Sequence, residues 1–148
     1  MIKLYTALVF LPLLGAVIAG LFGRVLGDRG SQAVTLIGIT TSALLSLYVF
    51  FDVTGNNNPV VIELFTWMES DSFEVSWALR IDQLTAVMLM VVTVVSAVVH
   101  WYSVGYMSHD KAIPRFMAYL SLFTFAMLML VTADNFMQMF FGWEGVGL

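Results

Sequence analysis

Glu144 is the single charged residue in the run FMQMFFGWEGVGL, Phe136 to Leu148, where it sits among aromatic side chains and the glycines Gly142, Gly145 and Gly147. The nearest polar break before it is Asp134-Asn135, which suits the start of a helix, with either residue as its N-cap. Ten residues of helix from Asp134 is about 15 Å, half of the ~30 Å hydrocarbon thickness of a bilayer. Glu144 is therefore expected near the midplane. A carboxylate there costs about 2.5–3.5 kcal/mol, and such residues mark ion or proton pathways. Its neighbours three and four positions away are Phe140, Phe141, Gly147 and Leu148, none of which can pair with it. Either Glu144 carries a proton at neutral pH or it meets a cation supplied from elsewhere. Two roles stay open: a protonated donor that locks a helix interface, and a group that takes up and releases a proton. The flanking glycines leave room for a second helix or for water.

His100 is the second candidate. It lies eighteen residues past Asp82, about 27 Å along a helix and so near the inner interface, where it is a candidate relay between the cavity of Glu144 and the inner side. An interfacial histidine without a proton role is the simpler reading. The glycines around Glu144 are not a dinucleotide fingerprint, because no strand precedes them and the spacing is wrong. The abundant methionines read as adaptable packing rather than a metal-binding face. No metal or cofactor site is expected.

The elements that must position these residues follow from composition. Of 148 residues, 60% are hydrophobic and 11% charged, and this low charge points to a membrane. Cysteine is absent, so the chain offers no disulfide, Fe–S or thiolate metal site. Ten acidic residues against six basic leave no basic surface for nucleic acid. Uncharged intervals at 4–23, 30–51, 83–109 and 116–133 each have the length of a bilayer crossing. The expected fold is an all-α multi-pass membrane protein with four complete transmembrane helices, a truncated fifth from Asn135 that is too short to cross, and a small external β-hairpin. The first interval reads as a transmembrane helix rather than a cleaved signal.

Three regions result: 1–53 with the first two helices, 54–81 as an external loop with the hairpin, and 82–148 with helices three, four and the start of five. In the loop, TGNNNP is a turn cluster, and FEVSWALRID alternates with Phe73, Val75, Trp77, Leu79 and Ile81 on one face. Ile62 to Met68 is its partner strand across Glu69-Ser70-Asp71-Ser72. The apolar face is expected to lie as a lid on the helix ends of this chain, or against a neighbouring subunit. Arg24, Arg29, Lys111 and Arg115 fall on one side and only Lys3 and Arg80 on the other, which puts the first side inside and the N-terminus outside. In the first helix Pro12 predicts a kink, and Gly15, Ala19, Gly23 and Gly27 form a small-residue packing stripe. Trp101, Tyr102 and Tyr106 fall where an inner aromatic belt belongs.

The run YMSHDKAIPRFMAYLSLFTFAMLMLVTADNFMQMFFGWEGVGL, with IDQLTAVML before it, resembles the antiporter-like proton-translocating membrane subunits of respiratory NADH:quinone oxidoreductase (complex I). The ADN turn followed by GWEGVGL is the specific element, and the hairpin and Pro12 helix fit the largest of these subunits. The resemblance implies that Glu144 is the membrane glutamate of the fifth helix, paired in the family with a lysine on a later helix. It implies that Asp134 helps at the outer mouth, if it is not simply the cap. It further implies that FMN, Fe–S clusters and quinone sit in other subunits, that other membrane subunits of a respiratory complex and the lipid bilayer are the partners, and that a bacterial cell membrane is the location. A subunit of a multi-subunit cation/proton antiporter would carry a similar glutamate, and a structural piece without transport is the third reading.

Overall fold

Gly27 turns the chain back on itself. The computed structural model describes residues 2–57 and 59–148, and helix α1 runs through Ile2–Asn56 with helical geometry broken only at Gly27 (φ 73°, ψ −177°). That combination is open essentially to glycine alone. Nothing lies within 4 Å of where a Cβ on Gly27 would stand, so this glycine is a hinge rather than the last member of the packing stripe. The arms, residues 2–26 and 28–56, run antiparallel. Tyr5 donates to Asp52 (3.0 Å), Ser42 to the carbonyl of Leu8 (2.9 Å), and Gly15 stands against the Cα of Thr35. Each arm exceeds the length of about 20 residues that crosses a bilayer.

The strands β1 (Val60–Ser70) and β2 (Phe73–Ile81) follow, then the helices α2 (Gln83–Tyr106), α3 (Ile113–Val131) and α4 (Phe136–Gly147). The helix count is therefore four, where four complete spans and a truncated fifth were expected. Three of the four, α1 to α3, are long and apolar enough to cross a membrane. The difference lies in α1, whose two arms, on either side of the non-helical Gly27, are the first two expected spans. Its end at Asn56 also moves the start of the loop past residue 54; of the expected TGNNNP turn, Asn58 lies outside the described residues.

Pro12 shows how the bundle repairs its own backbone. Proline has no N–H, so the carbonyl of Leu8 loses its partner one turn ahead. The hydroxyl of Ser42, from the other arm, donates to that carbonyl, and Ser121 of α3 donates to the carbonyl of Pro12 (2.6 Å). Hydroxyls that satisfy freed carbonyls are what make proline tolerable in a membrane helix. Ser42→Ala is expected to lower stability by about 1–2 kcal/mol, read as an earlier midpoint when the purified chain is unfolded in mixed detergent micelles. An unchanged midpoint would mean that the carbonyl finds another donor.

Small residues set the helix spacing. A Cβ on Gly23 would stand 2.9 Å from Pro114, and one on Gly20 3.6 Å from Ala118, so the glycine face of the first arm lies on α3. Such close approach is how helices associate in lipid, where hydrophobic burial contributes little. Between two apolar clusters, one of Tyr5, Leu8, Val49, Leu89, Leu128 and Met129 and the other of Leu36, Ile113 and Met117, the bundle centre is lined by hydroxyls. There Ser46 meets Thr93 (2.6 Å) and Ser96 meets Thr124 (2.5 Å). Leu14, Leu21, Ile37, Leu44, Phe51, Val95 and Val98 are exposed, as lipid-facing side chains should be. Trp101, Tyr102 and Tyr106 are exposed as a belt would require, and the two tyrosine rings stack at 5.7 Å.

The hairpin is antiparallel, with register shifts between Glu63 and Phe65 and between Thr66 and Met68. The strands reach further into the expected turn, leaving Asp71-Ser72 as its tip, with Asp71 at φ 53° in the left-handed region that aspartate tolerates. Ile62, Leu79 and Ile81 join the cluster of Tyr5, Val49 and Leu89, so the hairpin does lie on the helix ends of its own chain. Of the predicted apolar face, Val75, Leu79 and Ile81 are buried, Trp77 is half-buried and Phe73 is exposed near the tip.

Candidate functional site around Glu144

Helix α4 is held by three devices, and together they decide where Glu144 faces. The first is its cap. Asn135, not Asp134, is the N-cap: its Oδ1 accepts from the N–H of Gln138 (2.9 Å) while its Nδ2 donates to the carbonyl of Ser76 in β2 (2.7 Å). The second is Gln138, fully buried, whose Oε1 accepts from the N–H of Ala78 (3.0 Å) and whose Nε2 donates to the carbonyl of the same residue (2.7 Å). The side-chain amide pairs with β2 as a neighbouring strand would. Phe141 is the third, packed edge-on against Trp77 (4.8 Å between centroids) and Trp67 (6.4 Å) of the hairpin. In addition, the N–H of Arg80 donates to the carbonyl of Thr132, which ties β2 to the turn between α3 and α4 (2.9 Å).

The glycines complete the placement. A Cβ on Gly142 would fall 2.6 Å from the backbone nitrogen of Leu130, and one on Gly145 2.9 Å from Ala126, so these two face α3 rather than leaving space for an additional helix. Gly147 alone is open, with nothing within 4 Å. With Gly142 and Gly145 turned inward, helical geometry carries Glu144 outward, two residues or about 200° from Gly142. Glu144 is exposed on the flank of the bundle, in a hollow of about 320 Å³ lined by Phe136, Met139, Phe140 and Trp143. Among the described residues the one ion pair is Arg80 with Asp82 (3.6 Å), so none of their cations meets Glu144.

Asp134 is exposed beside Arg80 in a second hollow of about 420 Å³, which shares Phe136 and Met139 with the first. The two hollows are thus neighbours along the outer face of α4. His100 is elsewhere. It is fully buried rather than interfacial, because α2 runs six residues past it and its ring turns back into the bundle. Its Nδ1 lies 2.7 Å from the carbonyl of Ser96, and its Nε2 has no partner among the described residues. Ser96 meets α3 at Thr124, whereas α4 meets α3 at Ala126 and Leu130. Two residues apart is about 200° on a helix, so α3 stands between His100 and Glu144.

The family model described as NADH-Ubiquinone oxidoreductase (complex I), chain 5 N-terminus, matches residues 67–117, which take in the end of β1, β2, α2 and the start of α3. NADH-ubiquinone oxidoreductase chain 5 of Arabidopsis thaliana is 52% identical over 145 residues, and that of Hypocrea jecorina 49%. The chain is similar to complex I chain 5 over nearly its whole length. Those matches cover 98% of this chain and 22% and 21% of the two relatives, so the chain spans about a fifth of their length. A Neurospora crassa protein named probable intron-encoded endonuclease 4 is 47% identical over the same number of residues, which are 27% of it.

Gln138 and Phe141 are the site residues that sequence reasoning missed. Gln138 stands three residues after Asn135, the spacing of a capping box, and that pattern would have sent its side chain back to the cap. Asp82 at the other end of the hairpin does cap, accepting from the N–H of Thr85 at 2.9 Å. The Thr85 amide holds the Asp82 carboxyl below its ordinary value, opposed by burial and aided by the Thr85 hydroxyl and Arg80. A depressed carboxylate contributes stability that is complete above its unfolded value and lost as pH falls through the folded one. Protection of the Thr85 amide from hydrogen exchange is therefore expected to hold above about pH 4 and to fall below it, while Asp82→Asn removes this step. A step that persists in the variant would assign it to another group.

Proposed function

We propose that this chain supplies the proton-exchanging carboxylate, Glu144, of a proton-translocating membrane subunit of NADH:quinone oxidoreductase. The observation that carries the reading is the position of Glu144: in the last turn of the aromatic-rich helix α4, turned away from α3, and in no ion pair among the described residues. A group so placed is completed by a cation from outside residues 1–148, and a switchable cation is what moves a proton on and off a carboxylate. Asp134 and Arg80 form the outer mouth, and the two neighbouring hollows along α4, with Phe136 and Met139 common to both, mark the route from it to Glu144. His100, walled off by α3, stays outside that route.

The work of moving one charge is about 2.3 kcal/mol per 100 mV of membrane potential. It comes from NADH oxidation and quinone reduction in partner subunits, which hold the FMN and Fe–S groups. Gathering Arg24, Lys111 and Arg115 at one end of the bundle supports an inner assignment for that end and an outer one for the hairpin. The relatives named above are eukaryotic, so an energy-coupling membrane is the proposal, with the bacterial cell membrane as one case of it. Their names favour complex I over a separate cation/proton antiporter. The test is Glu144→Gln in the assembled complex, read as protons moved per NADH oxidised.

A further inference from the structure

The end of the bundle opposite the hairpin contains an open cavity of about 600 Å³ that the proton route does not use. Arg24 comes to it from α1, and Lys111 and Arg115 from the start of α3, with Asp28 as the single carboxylate in the wall. None of the three cations lies within ion-pair distance of Asp28, since the one ion pair among the described residues is Arg80 with Asp82. Arg115 instead lies over the ring of Tyr119 at 5.5 Å and donates to its hydroxyl, which holds the guanidinium at the cavity wall. The floor is made of Ala19, Gly20, Gly23 and Ala118. Ser31, buried and with its hydroxyl unpartnered, lies beside Gly23, 3.6 Å from where a Cβ there would stand.

We propose that this cavity binds the phosphodiester headgroup of an anionic phospholipid. Cations from α1, from α3 and from the turn before α3 converge at one end of the bundle, three against the one carboxylate of Asp28, and none of them is in an ion pair among the described residues. Basic pockets between transmembrane helices recognise such headgroups. The lipid source is favoured over a free anion by what lies next to the charge. The small residues Gly20 and Ala118 leave a shallow apolar floor, and below it Leu21 and Leu122 are exposed toward the hydrocarbon, so acyl chains can follow a headgroup seated on the arginines.

The test uses the intact protein in its native assembly, purified in detergent, and measures binding of phosphatidylglycerol by native mass spectrometry, with phosphatidylcholine and inorganic phosphate as comparison probes. Wild type is expected to retain phosphatidylglycerol over phosphatidylcholine. Arg24→Gln/Lys111→Gln/Arg115→Gln is expected to weaken that binding on the order of a hundredfold, from several-fold per cation at an anionic surface. Lys3→Gln, at the other end of α1, is expected to leave it unchanged. All four side chains are on the surface, so the variants test binding rather than folding, and amount of assembled protein checks this. Equal retention by wild type and the triple variant would overturn the proposal. Inorganic phosphate displacing the lipid at equal concentration would also overturn it, in favour of a free-anion site.

Discussion

Glu144→Gln in the assembled complex lowers proton pumping by at least about tenfold while leaving the amount of assembled complex near normal. The two halves of this result have separate causes. Glutamine keeps the volume and the hydrogen-bonding reach of glutamate but cannot exchange a proton, and a positioned acid or base contributes about 10²–10⁴-fold to the step it serves. Assembly holds because the carboxylate faces away from α3, and the contacts that seat α4 belong to Asn135, Gln138, Phe141, Gly142 and Gly145. Glu144→Asp should keep part of the activity, since it retains the ionisable group one methylene short. Reconstituted vesicles with a pH-sensitive dye, driven by NADH, provide the readout. Normal pumping by Glu144→Gln at normal assembly would reduce the residue to a packing role.

Gly142→Ala should be nearly as damaging by a different route. The added Cβ would stand 2.6 Å from the nitrogen and 2.7 Å from the Cα of Leu130, both backbone atoms that cannot rotate away. Helix α4 must therefore move off α3, and overpacking of this kind costs about 1–3 kcal/mol, at the upper end where backbone is the obstacle. The shift also carries Glu144, three devices and half a turn away from its seat, and a displacement near 1 Å at a reacting group can cost about 10²-fold. Reduced assembly on native gels, with pumping lowered further per assembled complex, is the expected pair of observations. Gly147→Ala is the control, because its Cβ meets nothing and an alanine in a helix is favoured by up to about 1 kcal/mol. Equal stability of the two variants would mean that α4 does not depend on close contact at Gly142.

Asn135 and Gln138 show why the site depends on more than its own helix. Each makes a side-chain bond to the backbone of β2, so the hairpin acts as a bracket at the outer end of α4. The relatives' similarity extends across both the bracket and the start of the helix it holds: with 145 of 148 residues matched, it takes in the hairpin and the ADN turn.

Several features of this protein were determined by its residue order alone. The uncharged intervals dictate membrane helices, because a stretch of about 20 apolar residues can satisfy its backbone in lipid only as a helix. The alternation of FEVSWALRI dictates a strand with one buried face, and the lone carboxylate of GWEGVGL marks the one charge in an otherwise uncharged helix. These are local properties, written in period, length and charge. What needed the tertiary structure was each question of which face meets which neighbour. The stripe of Gly15, Ala19, Gly23 and Gly27 reads as uniform, yet the first three pack and Gly27 turns the chain, because only its φ of 73° separates a hinge from a contact. His100 reads as interfacial from its distance along α2 and is buried, because depth follows from rise per residue but azimuth follows from packing. Gln138 reads as a capping residue and instead completes a strand sixty positions earlier, an interaction between backbone and side chain that no spacing within α4 can encode. Glu144 points outward because Gly142 and Gly145 fit α3 more closely than any other face of α4 can, and that choice was made by the shape of the neighbouring helix.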